Sequence, residues 1–171
     1  MQTRIRSLAL AALVTAFIAA PATALGFKGP PWISIELPAN PYDKSTRDAF
    51  LLVHSFHHGT AMGFIVTGTA EGVVNGERQS LKLDFSGTTR EGVYALKRTW
   101  PKEGTWTLVI KANQGPEDAA TAVIELGPDG DVATIRVPAM KRGEWTVPAP
   151  VSLGEIDAAL RARAATLARR S

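Results

Sequence analysis

The chain has no cysteine among its 171 residues. That excludes disulfide staples, thiolate metal sites, a thiol nucleophile and a lipid anchor on an N-terminal cysteine. Aromatics are sparse at 7%, and histidine occurs only three times. Charge of one sign is lacking as well. The formal net charge is +3, and two of the cations, Arg4 and Arg6, belong to a leader described below. So small an excess points to no nucleic-acid or polyanion partner. No Gly-x-Ser-x-Gly elbow occurs, which removes the commonest serine-hydrolase signature. No two acids are set in a glycosidase pattern, and the glycine-rich stretches fall in turns, not between a strand and a helix. Enzyme classes that announce themselves in sequence are thus absent, and the chain reads as no enzyme.

What is present begins with Arg4 and Arg6, an apolar run from Leu8 to Ala20, Pro21 and the small triplet Ala22-Thr23-Ala24. A positive start, a short apolar stretch and an A-x-A site describe a secretory signal peptide over residues 1–24, cleaved near Ala24. The run is too short for a comfortable membrane span. A retained N-terminal anchor is the alternative. The expected location is periplasmic or secreted, with residues 25–147 as one domain and 148–171 as a linker and helix.

The centre of the pattern is residues 91–112. Tyr94, Leu96 and Trp100 share one face of a first arm, and Trp106, Leu108 and Ile110 share one face of a second. Thr105, Thr107 and Lys111 point the other way, a period of two that a half-buried strand requires. Pro101-Lys102-Glu103-Gly104 has turn chemistry and predicts a hairpin between the arms. Further strands are expected at 32–37, 49–56, 64–74, 78–85, 119–126 and 131–137. Asn75-Gly76 predicts a type I′ turn, and Gly68 and Gly72 predict a bulge or bend. Asp129-Gly130-Asp131 lacks the further acidic ligands of a calcium loop and reads as a turn. About eight strands at short spacing make an all-β, immunoglobulin-like antiparallel sandwich. Residues 49–56 are apolar on both faces, so something besides the opposing sheet should cover that strand.

Beyond Pro148-Ala149-Pro150 the pattern changes. Ser152-Leu153-Gly154-Glu155 is a capping box, with Val151 and Ile156 at the positions of a hydrophobic staple. One C-terminal amphipathic α-helix is expected from Leu153 to about Arg169, with Leu153, Ile156, Leu160, Ala164 and Leu167 on one stripe. The stripe has three uses: packing on its own domain, for example over 49–56, pairing with a partner chain, or contact with a membrane surface.

One cluster could carry chemistry. All three histidines lie in His54-Ser55-Phe56-His57-His58, with Met62 shortly after. Neutral imidazoles suit zinc and copper(II), and a thioether suits copper(I). On a continuous strand His54 and His58 share a face while His57 points away, so a joint site needs the strand to break at His57. A further ligand such as Glu71 or Asp84 would come from elsewhere. The competing reading makes His54 a strand residue and 57–62 a polar loop. Among the tryptophans, Trp106 reads as core, while Trp100 and Trp145 lie near turns and are the candidates for exposure.

Gly92-Val93-Tyr94 followed by Gly104-Thr105-Trp106-Thr107-Leu108 resembles the closing hairpin of exported bacterial immunoglobulin-like modules, the YtkA-like and carboxypeptidase-regulatory-like groups. The resemblance covers roughly residues 47–113 and implies fold and compartment. Some members of that broad group handle copper through histidine and methionine, which bears on His57, His58 and Met62. The resulting expectation is a non-enzymatic binding or accessory module of the bacterial cell envelope, without a required cofactor, whose partner is an envelope protein or peptide. The alternative is a periplasmic copper- or zinc-binding protein using His54, His57, His58 and Met62.

Overall fold

The computed structural model describes residues 29–37, 40, 42–115 and 118–168, with side chains through residue 165. The expected leader, residues 1–24, lies outside the described residues. Twelve strands and one helix follow in order: β1 (Trp32–Glu36), β2 (Leu51–His57), β3 (Thr60–Ala61), β4 (Ile65–Val74), β5 (Glu77–Lys82), β6 (Phe85–Gly87), β7 (Val93–Leu96), β8 (Thr105–Asn113), β9 (Ala119–Leu126), β10 (Val132–Arg136), β11 (Ala139–Arg142), β12 (Trp145–Pro148) and α1 (Leu153–Ala168). The first sheet runs β1-β2-β7-β6, with β3 attached to β2. The second runs β10-β9-β8-β4-β5, and β11-β12 is a separate ribbon. All pairings are antiparallel. The chain is an antiparallel β-sandwich with one C-terminal helix, as its alternation predicts.

The core lies between the two large sheets. Ile33, Leu51, Val53 and Leu96 from the first meet Ala70, Leu108, Ile110 and Ile124 from the second. Trp106 is the largest fully enclosed side chain, and its indole N–H donates to Glu103 O at 2.7 Å. Its ring lies over Gly72 on the neighbouring strand, where an added methyl would come within 2.4 Å of the ring. Gly72 is therefore a site of close approach. β4 keeps one unbroken register against β8 through Gly68 and Gly72, so neither glycine makes the expected bulge. Asn75, at φ 51°, and Gly76, at φ 83°, form the turn predicted between β4 and β5.

The two arms of 91–112 do form strands, but not a hairpin. β7 pairs with β2 and β6, whereas β8 pairs with β4 and β9. Both edges of β8 are taken by its own sheet, so residues 97–104 carry the chain from one sheet to the other. Trp100, a candidate for exposure by its place near a turn, instead fills this crossing and is only 3% exposed. It meets Phe50 edge-on at 5.1 Å, with the Arg98 guanidinium 5.6 Å over its ring. The expected strand 78–85 likewise divides, because at Leu83 and Asp84 the chain leaves the second sheet for the first.

Residues 137–168 build a third layer over the outer face of the second sheet. The capping box is formed on both limbs: Glu155 N donates to Ser152 Oγ at 3.2 Å, and Ser152 N to Glu155 Oε2 at 2.8 Å. Ile156 and Leu160 are buried against Val109 of β8, with Val151 packed alongside. The helix thus covers β8 and not strand 49–56. The outer side of that strand carries its own small cluster of Leu52, Val93 and Ala95, against which Ala49 packs. Leu153, expected on the apolar stripe, is 69% exposed at the start of the helix. Leu167 of the same stripe lies beyond the described side chains.

Candidate functional site

Polar side chains gather at two places, the histidine turn and a groove on the far sheet. β2 ends at His57, and His58 (φ 48°) and Gly59 (φ 78°) reverse the chain into β3. The strand therefore breaks directly after His57, which stays as its last residue while His58 leaves it. Gly92 fixes this turn from behind. Its φ is 67°, and an added methyl would lie 2.6 Å from Ser55 O and 2.8 Å from Met62 O. The His57 and His58 rings meet edge-on with centroids 4.3 Å apart. His57 Nε2 donates to Gly29 O at 3.2 Å, and His58 Nε2 borders the same glycine.

His54 goes elsewhere. It lies on the outer face of the first sheet, where its Nε2–H donates to Glu36 Oε2 at 2.7 Å. Glu36 also accepts from Arg90 Nη1 at 3.1 Å. Arg90 foremost, and then His54, hold the Glu36 carboxyl below the usual carboxylate range against the opposing effect of burial. Met62 is half-buried and joined to Ser55 through its backbone. Glu71 sits on the other sheet. Among the described residues no three His, Asp or Glu side chains converge as a metal-holding group. The structure brings His57 and His58 together and takes His54 to Glu36.

The groove arises from the third layer. β11 and β12 are joined by the two-residue turn Gly143-Glu144, and Gly143 takes φ 62°. Glycine with positive φ at the first position of such a turn is a hairpin signal. It is the clue by which this unpredicted ribbon was legible. Met140, Arg142, Trp145 and Val147 share one face of the ribbon by register. Arg142 and Val147 line one wall of a groove of about 590 Å³, Pro150 and Val151 another, and Lys111, Asn113 and Thr121 lie on the strands beneath. Trp145, two rungs beyond Val147 at the ribbon tip and the other candidate for exposure, is 76% exposed.

Lys111 stands out on β8, where its neighbours from Thr105 through Ala112 are all buried. It pairs in register with Thr67 on one side and Thr121 on the other. Neither Lys111 nor Arg142 has an ion-pair partner among the described residues. Sequence reasoning placed Lys111 on the outward face of its strand but assigned it no role, because the third layer that makes a groove there was not foreseen.

A second groove of about 320 Å³ lies on the other side of Val151 and shares Lys111. At its border Glu71 carries a charge with its side chain 6% exposed. Burial raises its pKa, but hydrogen bonds from Thr69, Ser80 and Arg78 outweigh that and bring the carboxyl below the usual value. Arg78 reaches Glu71 at 2.8 Å and Asp157 of α1 at 3.0 Å, tying helix to sheet. Arg163, from the last turns of α1, donates to Trp106 O at 3.0 Å. The carboxylate of this second groove is thus already paired, and of the two cations of the first groove Lys111 borders both while Arg142 belongs to the first alone.

No protein-family model, no curated protein sequence and no solved structure matches the chain. No helix among the described residues is long and apolar enough to cross a membrane.

Proposed function

We propose that the chain is a non-enzymatic binding or accessory module exported to the bacterial cell envelope, and that it holds a protein or peptide partner in the groove between the β11-β12 ribbon and the outer face of β8 and β9. The observation that carries this reading is the pair Lys111 and Arg142, two cations in one concave site with no ion-pair partner among the described residues. At about 590 Å³ the groove falls in the range of roughly 300–1,000 Å³ typical of ligand sites. The leader pattern of residues 1–24 and the resemblance of 92–108 to exported modules support the compartment. The test is amide chemical-shift mapping of the full chain with a panel of blocked peptides and neutral and acidic oligosaccharides. Concerted shifts at Lys111, Asn113, Thr121 and Val147 with a peptide support the reading; shifts confined to other surfaces overturn it, and groove shifts with oligosaccharides alone overturn the peptide partner.

A second reading rests on the contact of His57 with His58. In it the pair, with Met62, takes up copper or zinc at the β2-β3 turn, the imidazoles serving as neutral ligands. Titration of the chain with each metal, with the His57→Ala/His58→Ala double variant as control, decides it. Stoichiometric uptake lost in the double variant supports this second reading, and uptake retained in that variant removes it.

A further inference from the structure

We infer that the partner of this groove is an acidic peptide segment, bound through its carboxylates by Lys111 and Arg142 and through a neighbouring apolar side chain by Val147 and Trp145. The inference rests on the groove being the binding site. Charge complementarity sets the sign of the ligand. Arg142 presents a planar fork matched to a carboxylate, and Lys111 presents a point charge from the sheet below. Their ion-pairing capacity is unused among the described residues. Asp118 on the rim limits how much negative charge enters and can accept an N–H, which a peptide backbone supplies.

The remaining lining disfavours a sugar acid. A saccharide brings many hydroxyls, and each one enclosed without a partner is costly. Asn113 has already committed its amide N–H groups to Ile65 O at 3.0 Å and Thr67 Oγ1 at 3.1 Å. Thr121 is 3% exposed. Pro30, Pro148 and Pro150 along the walls have no N–H to give. Three proline rings and two valines add apolar surface to a lining that also holds both cations, which suits an extended peptide whose Leu-like side chains alternate with its acids. The exposed Trp145 ring, on the same ribbon face as Arg142, extends that apolar wall.

The experiment uses the full chain and three probes: an acetylated and amidated hexapeptide alternating Glu and Leu, its Gln–Leu counterpart, and a soluble uronic-acid oligosaccharide. Binding is followed by calorimetry and by the same amide shifts. The Glu–Leu peptide is expected to bind and to weaken steeply as salt screens the contact. Its Kd should rise about tenfold or more in K111Q/R142Q, which removes both charge-assisted contacts, and several-fold in W145A, which removes the aromatic one. All three positions are solvent-exposed, so thermal midpoints should stay unchanged and report an intact fold. Equal binding of the Gln–Leu peptide, or a Kd unaltered in K111Q/R142Q, overturns the acidic-peptide inference. Groove shifts produced by the oligosaccharide and not by the Glu–Leu peptide overturn it too, yet leave the groove as the binding site. Groove amides that respond to no probe overturn both.

Discussion

Glu71 shows how one side chain decides a local balance. Its carboxyl is enclosed, which favours the neutral form, yet Thr69, Ser80 and Arg78 hold it charged below the usual pKa. A depressed folded pKa contributes stability that is full above the unfolded value and is lost as pH falls through the folded one. Glu71→Gln should therefore cost about 1–3 kcal/mol at neutral pH. In urea unfolding at pH 7 and pH 3 the deficit should shrink at the acid end; an equal deficit at both would show that charge is not its source. Gly72 decides a steric balance. Gly72→Ala pushes a methyl into the Trp106 ring and should cost about 1–3 kcal/mol. The accompanying sign is a change in Trp106 fluorescence, and an unchanged spectrum with unchanged stability would refute the contact.

At the scale of elements, α1 is held to the sandwich by few contacts of high value. Leu160 is 1% exposed against Val109, and the Arg78–Asp157 pair and Arg163 add polar ties on either side of it along the helix. Leu160→Ala should destabilise by about 2–4 kcal/mol through lost burial and a cavity over β8. If the helix instead made its real contact with another chain or a membrane, the isolated protein would lose far less than this, and urea unfolding separates the two cases. The capping box and the staple were legible in sequence because they depend only on residues a turn apart: Ser152 with Glu155, and Val151 with Ile156. The surface the helix chose was not legible. Strand 49–56 looked two-sided and β8 did not, yet Val109 supplied the apolar footing on β8, while the outer face of β2 closed over Leu52 with Val93, Ala95 and Ala49.

Across the whole molecule, stability should be layered. β8 sits between β4 and β9 in its sheet, with the core on one side and α1 on the other. The β11-β12 ribbon pairs only with itself, and nearly all of it is exposed. Amide hydrogen exchange should therefore be slowest in β8 and open only with global unfolding, while ribbon amides exchange through a cheap local opening. Equal protection of β8 and the ribbon would contradict this layering. The same ribbon forms a wall of the groove, so its mobility would let a ligand enter, and binding should slow exchange at Met140 and Val147.

Sequence by itself determined what is local. Period-two alternation determined the strand around Leu108, Asn75-Gly76 one turn, and Ser152-Glu155 the helix start, because each depends on neighbours within a few residues. Tertiary structure alone decided which strands share a sheet. The arms at Tyr94 and Trp106 parted company since β4 and β9 had taken both edges of β8. It alone separated His54 from His57 and His58, by the face each occupies, and it alone brought Arg142 to Lys111. Those two cations are far apart in sequence and belong to different layers, so only the folding-back of the third layer onto the second sheet could make them one site.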